Sequence, residues 1–224
     1  MNGSITATIK QIPLEFQTVP GLFSPNAVDA GTLAMLALTD FSERDKVLDL
    51  GCGYGVVGIL AARLVGEKNV IMCDIEPAAV QCARQNALRN RVPGIDIRIS
   101  DGFSQIPEND FTVILSNPPY HTDFRVAKHF IETGFHKLKP GGRMVMVTKR
   151  LAWYKNKLAS TFGGVQICER DGYFVFTAEK RARSPKRPEK AKPLSRKLAR
   201  KYPKHDSDIF TGRGKPAGIP EKKR

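Results

Sequence analysis

The chain predicts a Rossmann-like α/β fold: a seven-stranded, mostly parallel sheet with one antiparallel strand, an N-terminal β-hairpin, and a disordered basic C-terminal tail. Three observations predict it. From Lys46 onward, short apolar runs alternate with segments of helical apolar spacing, the pattern of a parallel sheet covered on both faces. The last two strand-like runs are joined by Asp171-Gly172, a hairpin turn that adds a strand antiparallel to the rest. From about Arg181 this periodicity stops and Lys, Arg and Pro take over.

Each element follows from its residues. Residues 5–18 (ITATIKQIPLEFQT) read as a short hairpin interrupted at Pro13. PGLFS at 20–24 is turn chemistry, and residues 26–40 carry helical spacing through Leu33, Leu36 and Ala37. KVLDL is a buried strand, GCGYG a loop, VVGILAARLVG a helix and NVIMCDI a strand. PAAVQCARQNALRN is a helix with Pro77 in its first turn. The strands IDIRIS and FTVILS follow, then an NPPY turn, a helix near 124–138 and a KPGG turn. RMVMVTK is a strand and LAWYKNKLASTF a helix, with Trp153 and Tyr154 assigned to core packing. QICER and YFVFTAEK close the sheet. Residues 1–180 thus form one domain and 181–224 the tail, in which PLSRKLARKY spaces Leu194, Leu198 and Tyr202 four apart, as a short helix against a partner would.

Composition narrows the function classes. The 224 residues suffice for one medium domain and an appendage. Four cysteines without a CxxC pair read as reduced core residues, not as a disulfide framework or a metal site, and no metal is expected. No leader peptide or membrane span is expected, which places the protein in the cytoplasm. The net charge of +14 is unevenly held: residues 180–224 carry 17 Lys/Arg against 4 Asp/Glu, and the body is close to neutral. Such a tail attracts phosphates and implies an RNA partner; a solvated tail or a sorting signal is the plainer reading.

The run VLDLGCGYGVVG contains G-x-G-x-x-G at Gly53, Gly55 and Gly58, with Asp74 at the distance where dinucleotide folds keep a ribose acid. Asp49 argues against a dinucleotide, because a carboxylate beside the loop repels a pyrophosphate on a helix N-terminus. It suits a cofactor with an ammonium, a sulphonium and no phosphate, which describes S-adenosylmethionine (SAM). Glycines at 51, 53 and 55 would admit its close approach. Asp74 would accept both ribose hydroxyls, Ile75 would pack on the adenine, and Asp101 would take the adenine amino group. With Cys52, Gly102 and Asn117 these residues are the expected cofactor set. The plainer reading is an ordinary strand-to-helix turn with Asp49 as a helix cap.

VLDLGCGYGVVGI, CDIEPAAV and SNPPY resemble the class I SAM-dependent methyltransferases over roughly residues 5–180. PGLFS followed by Val28-Asp29-Ala30-Gly31-Thr32, together with SNPPYH, looks like the RsmC/RlmG-like methyltransferase small group. The resemblance implies transfer to guanine N2 of ribosomal RNA, with ribosomal RNA or a ribosomal subunit as partner. Tyr120 stands where many members have Phe. The acceptor implied is an exocyclic amine whose lone pair is delocalised into its ring. Asn117 and Pro118 offer carbonyls to its N–H groups, Pro118 and Pro119 restrain the backbone, and Tyr120 gives a stacking face. Phe23 and Ser24 are carried over as pocket residues, His121 as a possible RNA contact, and Arg181, Arg183, Lys186 and Arg187 as the start of the RNA handle. An adenine-N6 or protein-glutamine acceptor, or a non-catalytic RNA-binding or assembly factor, are the competing readings.

Overall fold

The computed structural model describes residues 3–119 and 124–182. Strands β1 (Gly3–Ile9) and β2 (Ile12–Thr18) pair antiparallel across Lys10-Gln11, whose φ values of 48° and 65° match the twist of a tight hairpin. Pro13 does not interrupt them: it pairs with Thr8 inside β2. In a two-stranded ribbon both strands are edges, so a residue without an N–H is tolerated.

The sheet contains β3 (Val47–Leu50), β4 (Val70–Asp74), β5 (Asp96–Ile99), β6 (Phe111–Ser116), β7 (Leu138–Thr148), β8 (Gln166–Arg170) and β9 (Tyr173–Glu179) in the order β5-β4-β3-β6-β7-β9-β8. All pairings are parallel except those of β9 with β7 and β8, so β9 is the one reversed strand. Helices α1 (Ala30–Leu38), α2 (Val56–Val65) and α3 (Pro77–Arg89) pack with the hairpin on one face. Helices α4 (Arg125–Lys137) and α5 (Leu151–Phe162) cover the other, where Tyr154 is buried and Trp153 stacks on Phe124. Among the described residues no helix is long and apolar enough to cross a membrane.

Three local expectations are corrected. The first helix begins at Ala30, not near 26, because Asp29 caps it by accepting from Thr32 N at 2.8 Å. KPGG is absorbed into β7: Phe111 pairs with Leu138 but Val113 with Arg143, so the intervening residues bulge, and Gly141 N and Gly142 O continue the ladder to Lys180. Cys52, Cys73 and Cys82 are buried, but Cys168 is exposed on β8, a sheet-edge strand with no buried residue.

The hairpin is fastened to the domain by two asparagines four residues apart, Asn86 on α3 and Asn90 at its C-terminal cap. Asn86 Oδ1 accepts from Gln17 N at 2.8 Å, and its Nδ2 donates to Gln17 O and Tyr54 O, both at 2.9 Å. Asn90 repeats the pairing two residues back along β2, accepting from Glu15 N at 3.1 Å and donating to Glu15 O at 2.7 Å. One turn of helix rises about 6 Å per four residues and two strand residues span nearly the same distance, so the side chains stand in for a neighbouring strand. Asn86 is 0 % exposed, and its truncation removes the side-chain partner of Gln17 N and of Tyr54 O, while Gln17 O keeps the Cys82 Sγ–H at 3.0 Å. Asn86→Ala is expected to destabilise the protein by roughly 2–4 kcal/mol, read as a fall in melting temperature of about 5–15 °C. A melting temperature unchanged within error would remove Asn86 from the framework.

Candidate active site

The chain runs from β3 outward to β4 and β5, then returns to place β6 on the other side of β3. This reversal leaves a crevice at the carboxyl ends of the strands, where open α/β sheets bind ligands. A cavity of about 320 Å³ occupies it, walled by the ends of β3 to β6, the glycine loop, the Phe23–Thr32 stretch, and Val126 and Phe130 of α4. Phe23 (51 % exposed) and Ile75 (63 % exposed) stand open at this cavity, an apolar exposure characteristic of ligand sites.

The glycine loop is pinned to the end of β4. Gly51 N and Cys52 N both donate to Cys73 O at 2.9 Å, and Gly53 N donates to Asp74 Oδ2 at 2.8 Å. Gly51 and Gly53 have φ of 77° and 55°, and a Cβ on either would meet no protein atom within 4 Å. Both line the cavity, so the open space beside them is space for a ligand. Gly55 differs. It does not line the cavity; a Cβ there would lie 2.9 Å from Ile59 Cδ1 and 3.1 Å from Met72 Cε, so this glycine lets α2 approach β4.

Asp49 ends β3 inside the cavity wall and is 2 % exposed. Its Oδ2 accepts from Gly58 N, at the third position of α2, at 2.8 Å. The capping role is therefore present, but it engages one oxygen; Oδ1 takes no hydrogen bond among the described residues. Burial pushes the carboxyl up from 3.8 to about 7, the Gly58 N–H pulls it down in part, and Asp74 raises it further. A carboxylate whose ionised form burial disfavours gains most from a cation brought beside it.

Asp74 and Asp101 reach the same cavity from β4 and the residue after Ser100, and Ile75, Cys52 and Gly102 line it beside them. Asp74 also spends Oδ1 on Glu76 N at 3.0 Å, so it organises the loop as well as facing the pocket. Burial drives the Cys52 thiol well above its usual range and the Cys73 thiol to about 12, which leaves both mainly in the unreactive thiol form. Among the described residues no cluster of three or more His, Cys, Asp or Glu is placed to hold a metal.

Asn117, Pro118 and Pro119 leave β6 along the cavity wall. Ser116 fixes the exit by donating from Oγ to Leu50 O at 2.8 Å. Asn117 Nδ2 donates to Asp29 Oδ2 at 2.9 Å and to Thr32 Oγ1 at 3.0 Å. Its Oδ1 is buried and has no hydrogen-bond partner among the described residues. A buried acceptor without a donor is costly, and an N–H or O–H brought by a ligand or a water would relieve it.

Of the remaining expected residues, Phe23 lines the cavity but Ser24 does not; its Oγ donates to Ala27 O at 2.8 Å and shapes the segment behind Phe23. Arg181 lies beside Gly164, at the sheet end opposite the cavity, because β9 runs against the other strands and delivers the chain there. Tyr120, His121, Arg183, Lys186 and Arg187 lie outside the described residues. Sequence reading missed the functional placing of Asp29 and Thr32, which it quoted only inside a family segment, and of Val126 and Phe130.

The methyltransferase small domain family model matches residues 13–177. Ribosomal RNA small subunit methyltransferase C of Serratia proteamaculans (strain 568) is 31 % identical over 183 residues, covering 80 % of this chain and 52 % of that protein. Its namesake in Haemophilus influenzae (strain PittGG) is 34 % identical over 165 residues, covering 72 % and 49 %. Among solved structures, the T. thermophilus 16S rRNA N2 guanine methyltransferase RsmC, in complex with AdoMet and guanosine, matches with a TM-score of 0.71 and 27 % identity over 81 % of this chain and 51 % of that one. The chain spans about half the length of the curated relatives it matches.

Proposed function

The chain belongs to the methyltransferase small domain family, and on that footing we propose that it is a cytoplasmic SAM-dependent N-methyltransferase acting on guanine N2 of ribosomal RNA. The observation that carries the reading is Asn117, a residue lining the cavity whose buried Oδ1 has no donor among the described residues. An exocyclic amine supplies that donor. The relatives named for small-subunit ribosomal RNA support RNA as its bearer.

The residues present fit the cofactor. Asp49 is a buried, unpaired carboxylate for the ammonium, Asp74 faces the ribose, and Ile75, Asp101 and Gly102 take the adenine, while Gly51 and Gly53 leave the space. Bound there, SAM supplies an electrophilic methyl group. The chain's own contribution is to hold the acceptor: Asn117 Oδ1 and the Pro118 carbonyl accept from the amine, which draws its lone pair onto nitrogen and aims it at the cavity. Orientation of this kind contributes about 7–11 kcal/mol to such reactions, and no general base is needed for the displacement itself. Tyr120 is assigned the stacking face. The base must leave its helix, or be unpaired already, to enter.

Transfer of label from SAM to ribosomal subunits and to naked rRNA, followed by nucleoside mass analysis, tests the reading. N2-methylguanosine supports it, N6-methyladenosine replaces guanine by adenine, and absence of label from RNA ends it. Residues 181–224 are assigned to the phosphate backbone, a positioning role that suits a run of Lys and Arg. Truncation after Ala182 is expected to flatten the salt dependence of RNA binding, by about 0.7 in log–log slope for each lost phosphate contact, while SAM affinity stays the same. An unchanged slope would separate the tail from RNA binding.

A further inference from the structure

We propose that Asp29 is a positioning residue for methyl transfer: its carboxylate decides which way round the Asn117 side chain sits. A carboxamide is nearly symmetric in shape, yet its two ends are opposites, an acceptor and a double donor. Only one end suits an amine. With Oδ1 presented to it, Asn117 accepts; with Nδ2 presented, it would set donor against donor.

Two groups accept from Nδ2 and leave Oδ1 for a ligand, Asp29 Oδ2 at 2.9 Å and Thr32 Oγ1 at 3.0 Å. They are not equivalent. A threonine hydroxyl donates or accepts and would serve either orientation of the amide. An ionised carboxylate can only accept, so a flipped Asn117 would point its carbonyl at Asp29 and be repelled. Asp29 is therefore the member of the pair that discriminates. It is itself fixed from two sides. Thr32 N donates to the same Oδ2 at 2.8 Å as the cap of α1, and Tyr173 Oη donates to Oδ1 at 3.3 Å. Lys149 Nζ sits 4.8 Å over the Tyr173 ring, adding positive charge on that side of the carboxylate. Gly31 makes the approach possible: a Cβ there would lie 2.6 Å from Tyr173 Cδ1. The segment Asp29-Ala30-Gly31-Thr32 thus acts as the back plate of the acceptor clamp, 88 residues away from it in sequence.

The kinetic part of this inference rests on the N-methyltransferase reading; the orientation of Asn117 does not, and two variants separate capping from positioning. Asp29→Ser keeps a good helix cap but removes the acceptor-only group. Asp29→Asn keeps a carbonyl at the Oδ2 position, held there by the Thr32 N–H. Asp29→Ser is expected to lower kcat by about tenfold, with melting temperature and SAM affinity near those of the parent. Asp29→Asn is expected to restore kcat to within about threefold. A parental kcat in Asp29→Ser, or equal losses in the two variants, would overturn the proposal. The side-chain amide resonances of Asn117, assigned by their loss in Asn117→Ala, give a readout free of turnover. They should move in Asp29→Ser and hold in Asp29→Asn; unchanged resonances in Asp29→Ser would refute the placement. Should the parent protein transfer no methyl group to RNA, the functional reading falls while these resonances still decide the role of Asp29.

Discussion

Asp49→Asn is expected to bind SAM about 10²- to 10³-fold more weakly and yet to be the more stable protein at pH 8. Both effects come from one carboxylate. Asp49 is 2 % exposed, and among the described residues no ion pair involves it. Its ionised form is disfavoured by burial, which holds the carboxyl near 7. Asparagine keeps an oxygen for Gly58 N–H and carries no charge, so the folded protein loses a buried anion but not the cap. The ammonium of the cofactor, in turn, loses its partner, and truncating one side of a buried charge pair costs about 2–5 kcal/mol.

The sign of the pH dependence follows by linkage. The folded value, about 7, lies above the ordinary 3.8, so between those limits the native protein binds more protons than the unfolded chain. The contribution of Asp49 to stability is fully present below pH 3.8 and is lost as pH rises to 7. At full linkage the loss amounts to about 4 kcal/mol. The excess stability of Asp49→Asn should therefore be small near pH 4, grow up to pH 7 and level off above it, as read by calorimetric melting of both proteins across that range. A difference independent of pH would show that Asp49 is not the titrating group. The parent protein should also bind SAM more weakly as pH falls below about 7, because a proton must leave Asp49 for the ammonium to pair.

Asn117→Ala is expected to lower kcat by about 10²- to 10³-fold, the usual effect of removing one preorganised polar group from a reacting centre. SAM affinity should stay within about threefold, since the group acts on the acceptor amine more than on the cofactor. Single-turnover methyl transfer beside SAM titration measures both; a kcat near that of the parent would remove Asn117 from the chemistry. Asn117→Asp has the right shape but the wrong charge. Its carboxylate would stand about 2.9 Å from Asp29 Oδ2, where two anions cannot both ionise, so it should combine a lost kcat with a lowered melting temperature.

These expectations separate what a linear reading supplies from what it does not. Seven strand runs, their alternation with helices and the Asp171-Gly172 turn sufficed for the architecture, because periodicity records local burial and a turn is made by its own residues. Asp49, Asp74 and Asp101 were readable as cavity residues because each lies at or just past the carboxyl end of a strand, and those ends form one edge of the sheet in this topology. The sequence leaves Gly55 open because a glycine admits a ligand or a neighbouring element equally well, and only the position of Met72 and Ile59 shows the second here. Cys168 was misjudged because apolar sequence neighbours do not reveal that β8 is an edge.

The chain's local patterns therefore specify the sheet, its reversed strand and the position of the crevice. Tertiary structure alone decides which polar groups meet. Asn86 and Gln17 are 69 residues apart, Asn117 and Asp29 are 88, and Tyr173 and Asp29 are 144. Apolar burial is non-directional and averages over many neighbours, so its trace survives in a one-dimensional pattern. A hydrogen bond depends on one partner at one distance and angle, and that partner is known only once the chain has folded.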